Sequence, residues 1–386
     1  MTIAVCYDAV IVGAGPAGSL TAYHLARNGL RVVILEKKKL PRYKPCGGGL
    51  TARALSSLPF GIETVIEDYT RQPNLLYRNR LVFRQDLDRP AIAMVMRDRF
   101  DAYLAAKAVE AGAEVRDATA FRAVSGGAGK LSVRTDRGDW KTRIIVGADG
   151  VHSRVGRQLG LCPEYRTMTA VEGECYYGKA DLPVRYRGAV HFDFGVLPKG
   201  YGWVFPKQNH LSIGVVTLGR HRQSLFQDFH AYLELKGLSA GVRVHPLRGH
   251  LIPFAPRGGN LYADRRGLLV GDAAGFTDPL TGEGIYYAVR GAAIAAEHIR
   301  KALDNGYDQL PSYTSAIQQA FAPDLIRAER MSRFIYHCPK MTKILLHHKG
   351  DIIGRCQLDI ITGRKTYRQL FRQILSFWRR EWWQLV

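Results

Sequence analysis

Cys46 stands directly before Gly47, Gly48 and Gly49 in the stretch PRYKPCGGGL that spans residues 41–50. A thiol at such a place can serve as an acid or a nucleophile, or as an inert small hydrophobe. Three glycines in a row strip the neighbouring backbone of side chains, which suits the close approach of something flat or bulky. A second glycine set, Gly13, Gly15 and Gly18, has the G-x-G-x-x-G spacing, with Ala17 inside it. In that spacing the first glycine permits a tight turn, the second lets backbone approach a pyrophosphate, and the third lets a helix pack on a strand.

The elements that must hold these residues follow from the surrounding pattern. Tyr7 to Val12 reads as a buried strand, about Pro16 to Asn28 as a helix, and the next apolar run as a strand ending at Glu36, with Lys37 beside it. Glu36 lies at the distance expected of an acid that bonds adenosine ribose hydroxyls, and the helix N-terminus offers N–H groups and a positive dipole end to phosphates. Far along the chain, RRGLLVGDAAGFTDPLTGEGIYYAV predicts a strand over 267–270, a loop and a helix starting near Gly284. Asp272 at that strand end can accept hydroxyls of a ribityl chain. Gly282, Gly284 and Ile285 open a helix whose N–H groups suit the charge on a reduced flavin. FAD is therefore the expected cofactor.

With these segments the chain resembles the flavoprotein superfamily that includes the aromatic hydroxylases of the p-hydroxybenzoate type. MRDRFDAYLAAKAVEAGAEV supplies Arg97 at a helix start, and IIVGADGVHSRVGRQLG supplies Asp149 and Gly150 in a turn. The resemblance implies that Arg97 and the Asp149 turn approach the flavin. No second G-x-G-x-x-G is present, which argues against a dedicated NADPH domain. The electron donor is expected to be transiently bound NADPH or a reduced carrier protein such as ferredoxin.

Between about 170 and 255 short aromatic-rich runs replace helical periodicity, predicting an inserted antiparallel sheet. In GYGWVFPK, alternation puts Tyr201, Trp203 and Phe205 on one face, and Pro206 ends the strand. Three aligned aromatic rings make an apolar wall for a hydrocarbon chain or a ring. The element formed by Pro198, Tyr201, Trp203, Phe205 and Pro206, with Gly214 following, resembles the geranylgeranyl reductase family, as do Cys46 to Gly49 and the tail DIITGRKTYRQLFRQIL. The resemblance implies saturation of polyprenyl C=C bonds by hydride transfer from reduced flavin followed by protonation. It implies catalytic roles for Cys46, Gly47, Gly48, Tyr201 and Trp203; the last two also join Phe205, Pro206 and Gly214 in holding substrate. Cys46 and the first two glycines also contact the cofactor. Cys46 either positions the reacting groups or donates the proton, with position preferred. The alternatives are an aromatic monooxygenase or halogenase on the same scaffold, and a flavin-bearing carrier or sensor of prenyl lipid.

The fold class expected is α/β: a Rossmann-like FAD-binding domain, an inserted antiparallel-sheet substrate domain and a C-terminal helical region. In residue terms the FAD domain takes 1–75, 96–168 and 259–306, the substrate domain 76–95 and 169–258, and the helical region 307–386. A formal net charge of +21 attracts polyanions. No nucleic-acid-reading motif accompanies it, so nucleic acid is excluded as partner. From residue 324 onward 13 Lys and Arg face 5 Asp and Glu. In the terminal segment Tyr367, Leu370, Phe371, Ile374, Trp378, Trp382 and Leu385 fall on one helical face, which suits either an anionic membrane surface or docking on the body. The six cysteines form no C-x-x-C pair, no metal-ligand spacing is present, and no signal peptide or membrane-spanning run is found. The expected location is the cytoplasm, peripheral on the inner face of the membrane, with a prenyl lipid or prenyl diphosphate as substrate.

Overall fold

Runs of β-branched and aliphatic residues with no exposed positions require sheets covered on both faces. The computed structural model describes residues 6–161, 163–177, 184–218, 222–257 and 262–373. In it β1 (Cys6–Val12), β2 (Val32–Leu35), β8 (Glu114–Arg116), β9 (Phe121–Gly127), β10 (Lys130–Thr135), β11 (Gly138–Gly147) and β17 (Gly267–Leu269) share one sheet. The order is β8-β2-β1-β11-β10-β9, with β17 also on β11. β1 runs parallel to β2 and β11, and β11 to β17, so the ends of β1 and β17 open toward the same edge of the fold. Helix α1 (Pro16–Ala26) begins with Pro16, whose missing N–H is tolerated at a first helical turn.

The second large sheet comprises β5 (Gln72–Tyr77), β6 (Arg80–Arg84), β12 (Glu164–Tyr176), β13 (Ala189–Phe194), β14 (Gly200–Pro206), β15 (Leu211–Leu218) and β16 (Arg243–Arg257). Its order is β16-β12-β15-β14-β13-β5-β6, antiparallel throughout except for the parallel pair of β13 and β5. One face carries Ala170, Phe192, Tyr201, Trp203, Phe205 and Val216. The other carries Val171, Val204, Ile213 and Val215, packed with Leu225, Phe229, Tyr232 and Leu233.

Those last four residues belong to a helix, α5 (Arg222–Leu235), which corrects the expectation of strands alone between 170 and 255. Its apolar positions recur at i, i+4, i+7 and i+8, the spacing of one helix face. The domain limit drawn at residue 75 also falls inside β5. The chain enters the second sheet at Gln72, turns through Arg78 and Asn79 at positive φ, and leaves after Arg84. Ile92 to Val95 then forms β7 of a small third sheet with β3 (Gly49–Thr51) and β4 (Ile66–Thr70). Residues of β7 serve two cores, Ile92 and Met94 one, Val95 another.

Two short helices, α2 (Ala52–Leu55) and α4 (Arg154–Leu159), cap strand ends, while α3 (Arg97–Glu110) and α6 (Ile285–Asn305) pack against α1. The chain closes with α7 (Ser312–His337) and α8 (Pro339–Ile361). Tyr367 and Leu370 are buried against the body. They are therefore docking residues, not part of an exposed apolar face; Ile374, Trp378, Trp382 and Leu385 lie outside the described residues.

Candidate active site

Two helix N-termini open into one cavity. Gly15 caps α1 and Gly284 caps α6, and neither terminus has a side-chain cap. Gly15, Pro16 and Ala17 line the cavity at one side, and Gly282, Glu283, Gly284 and Ile285 at another. Uncapped N–H groups and the positive ends of two dipoles suit a ligand with two separated anionic or electron-rich parts. A Cβ on Gly15 would meet nothing within 4 Å, whereas one on Gly13 would strike the Ala148 carbonyl oxygen and one on Gly18 the Gly13 carbonyl oxygen. The turn is therefore bare on the ligand side and tight on the protein side. Asp272 lines the same cavity, with Lys44 Nζ 3.7 Å from its carboxylate. Thr277 Oγ1, buried at the cavity wall, has no hydrogen-bond partner among the described residues. This donor set and this bare cradle fit FAD.

Glu36 is buried and braces the fingerprint turn: Ala14 N donates to Oε2 at 3.0 Å and Lys38 N to Oε1 at 3.1 Å. Arg42 bridges Glu36 and Asp101. Arg97 forms a bidentate pair with Asp101 at 2.8 and 2.9 Å and lines the cavity beside Cys46. Lys37 is exposed and outside the cavity wall. The Asp149 carboxylate accepts from Ser153 Oγ and from the N–H groups of Arg154 and Val155, so it caps α4, and it is Gly150 beside it that lines the cavity.

The Cys-Gly-Gly-Gly turn lies against the aromatic strand. A Cβ on Gly47 would sit 2.8 Å from the Phe205 ring and 2.9 Å from Trp203 Nε1. Gly48 has φ +66°, where a Cβ would strike the Val95 carbonyl oxygen and approach Lys207 Nζ to 2.7 Å. Only glycine suits that conformation at that distance. Lys207 is 1% exposed, and its Nζ donates to Gly47 O at 2.8 Å and Val95 O at 3.0 Å. Burial lowers its pKa, opposed by the nearby Glu174 carboxylate.

Tyr201, Trp203 and Phe205 form the expected row, with ring centroids 6.2 and 6.3 Å apart, and Phe192 stands edge-on to Phe205. A Cβ on Gly214 would enter the Trp203 ring, so this glycine seats the indole. The Tyr201 hydroxyl donates to Thr281 O in the loop before α6, tying the aromatic strand to the cofactor end. Pro206 pairs with Leu211 at the strand end and is absent from the cavity wall. Ile92, Ala170, Val216, Ile252 and Ile361 complete an apolar lining.

Sequence reasoning did not single out Lys207, Glu172, Tyr43 or His250. Lys207 directly follows the aromatic motif, and Glu172-x-Glu174 places two acids on one strand face; both signals were readable. Glu172 lines the cavity, accepting from the Tyr43 hydroxyl at 2.6 Å and from Cys46 N at 3.0 Å. The Lys44 ammonium reaches His250 Nε2 at 3.4 Å, and burial, then the Lys44 charge, pushes the His250 ring down to about 4.

Comparison with known proteins adds the following. The model of the FAD binding domain family matches residues 6–327. Digeranylgeranylglycerophospholipid reductase 1 of Methanopyrus kandleri is 34% identical over 320 residues, 77% of this chain and 81% of that protein. A geranylgeranyl bacteriochlorophyll reductase-like protein of Thermoplasma acidophilum has a similar structure, with TM-score 0.75 and 23% identity, over 92% of this chain and 91% of that one. A flavin-dependent brominase matches with TM-score 0.73 at 20% identity, over 98% and 100%. Structural likeness at these identities fixes the fold and leaves the reaction open.

Two outcomes follow from this geometry. Gly48→Ala is expected to lower stability by about 1–3 kcal/mol and to weaken flavin retention, read as the thermal midpoint and the flavin absorbance that survives gel filtration. Acid is also expected to destabilise the fold. His191, lowered by burial and then by Lys236, and His250 both sit at about 4 in the fold against 6.5 for an ordinary imidazole. The unfolded chain therefore binds protons first as pH falls. The stability that these neutral rings contribute is full above pH 6.5 and is lost on descent toward pH 4. Urea midpoints measured across that window should fall, with a shallower slope for His191→Asn.

Proposed function

The chain belongs to the geranylgeranyl reductase family of FAD-dependent oxidoreductases, and from that premise we propose that it saturates C=C bonds of a polyprenyl chain carried on a lipid or a diphosphate. The observation that carries this reading is the junction at Cys46–Gly49. There a cavity built for a dinucleotide continues without a break into an apolar aromatic slot. An isolated alkene offers no charge to grip, so its position must come from shape and from exclusion of water.

Each wall has a task in that reaction. Gly15 and the α1 N-terminus hold the pyrophosphate, Gly13 and Gly18 allow the tight turn that presents them, and Asp272 and the α6 N-terminus hold the ribityl and ring end. Bound and reduced, FAD supplies the hydride. Tyr201, Trp203 and Phe205 hold the hydrocarbon, and the bare backbone at Gly47 and Gly48 lets the two ligands meet. Cys46 acts by position: its Sγ accepts from Gly48 N at 3.4 Å and also engages the Arg97 guanidinium. Electrons reach the cofactor from NADPH or from a reduced carrier such as ferredoxin.

A prenyl lipid must be met at a membrane. Among the described residues no helix is long and apolar enough to cross one. Met341, Ile344 and Ile352 on α8 are nevertheless 52%, 52% and 56% exposed. They are interspersed with Lys340, Lys343 and Lys349, a composition that suits attachment to an anionic surface.

The deciding experiment reduces the protein anaerobically and adds geranylgeranyl compounds. Flavin reoxidation is expected, with product mass rising by two hydrogens per step, and Trp203→Leu should lower kcat/KM by roughly 10–200-fold. Lipid binding without reoxidation would assign a carrier, and a product formed only with oxygen would assign a monooxygenase or halogenase. In sedimentation, the protein should follow vesicles containing anionic lipid and leave neutral ones, with Met341→Ser/Ile344→Ser reducing the bound fraction; equal binding by that variant would remove α8 from the contact.

A further inference from the structure

A line of buried polar groups runs through the second sheet and ends at the cavity wall beside Cys46. Glu172 and Glu174 stand two residues apart on β12, hence on one face, and each is 2% exposed. Glu172 accepts from the Tyr43 hydroxyl and Cys46 N. Glu174 Oε2 lies 3.0 Å from His210 Nε2, and His210 Nδ1 lies 2.8 Å from Oδ1 of the exposed Asn209. Tyr176 stacks on the His210 ring, closing the path from that side.

The charged and titratable groups around Glu172 come from every neighbour. Tyr43, Lys44 and Cys46 stand on the loop before β3, Glu174 and Tyr176 on β12, His210 at the start of β15 and Arg248 opposite on β16, with Lys207 after β14. Arg248 is exposed and turns its guanidinium to Leu247 O, while Lys207 spends its donors on two backbone carbonyls. Neither makes a direct ion pair with Glu172. Two adjacent carboxyls in a dry wall do not both ionise, so the pair retains a proton. Burial, then the like charge of Glu174, raises Glu172 well above the ordinary carboxylate range.

We propose that Glu172 is the acid that protonates the second carbon of the reduced double bond, with Glu174 and His210 returning a proton to it from solvent at Asn209. This rests on the reductase reading above. The alkene receives an electron pair and one hydrogen as hydride at its first carbon. The Glu172 O–H bond breaks as the C–H bond forms at the second carbon, leaving a carboxylate. FAD is the species oxidised and the alkene the species reduced. Glu174 then takes up a proton delivered from solvent through His210 and hands it to the Glu172 carboxylate, which restores the starting state. The other candidates are otherwise occupied. The Tyr201 hydroxyl donates to Thr281 O, and Cys46 Sγ lies beside the Arg97 guanidinium, with no carboxyl pair hydrogen-bonded to it among the described residues to replace a spent proton.

Glu172→Gln keeps the size of the side chain and removes its proton. Infrared spectra of the wild type near neutral pH should show a protonated-carboxyl stretch that shifts in heavy water and disappears in Glu172→Gln. Flavin reoxidation by a prenyl substrate should slow at least ~100-fold in the variant, with flavin content and thermal midpoint retained and the solvent isotope effect changed. Glu174→Gln serves as a second variant and should slow repeated turnover more than a single one. Absence of the carboxyl band in the wild type overturns the proposal without touching the reductase reading. So does a Glu172→Gln protein that reoxidises at the wild-type rate. A wild type that shows the band yet reduces no olefin overturns the reductase reading, and the donor role with it.

Discussion

The burial of one ammonium group governs the arrangement around the cavity. Burial lowers the pKa of Lys207, and its Nζ is held in the interior by donating to the Gly47 and Val95 carbonyls. An ammonium without such partners would carry a desolvation penalty of several kcal/mol. The requirement acts in both directions. It pins the bare turn and β7 to the end of the aromatic strand, and it forces the turn into a left-handed conformation at Gly48 that only glycine holds without strain. One interaction thus fastens three sheets: the small one through Val95, the aromatic one through Lys207, and the dinucleotide side through the loop that follows β2.

Everything at the junction is set by that clamp. With the turn held down, Gly47 presses on Phe205 and Trp203, and Gly214 beneath the indole lets Trp203 lie flat enough to accept it. The opposite edge is tied by Tyr201 to Thr281, while Glu283 in the same loop is gripped by Arg53 and Thr51. The cofactor loop and the aromatic wall therefore cannot move independently. A hydride acceptor that offers no polar handle needs that kind of fixed distance between two surfaces.

The fingerprint turn, the two helix starts and the aromatic row were legible because each is local: fixed spacing, alternation and glycine at defined offsets act within a few residues. α5 escaped because its four apolar anchors sit among Gln, Asp, His and Glu, in a region whose flanks read as strands. Asp149 and Pro206 were placed by motif, while their actual neighbours, the α4 N-terminus and Leu211 of β15, stand in the next element along the chain. Lys207 and Glu172 carry readable local signals, but the contacts that give them and Tyr43 their place at the site are not local. Their partners stand 126 or more residues away in two of these contacts and 160 in a third, so no window of sequence contains the interaction.

The last constraint is a conflict between dryness and proton supply. A fold shared with a brominase does not choose a reaction; the walls of the cavity do. Excluding water protects a hydride in transit, yet a saturated product also needs a proton that bulk water can no longer deliver. In the proposed reduction, a carboxyl pair behind Tyr176 and reached through His210 would reconcile the two needs, storing the proton in the wall and leaving the slot dry. Oxygenation and halogenation also consume protons, but they do so at oxygen and not at a carbon of a hydrocarbon held in the slot. The acid pair next to the bare turn is thus better matched to alkene reduction than to the other chemistries the scaffold can carry.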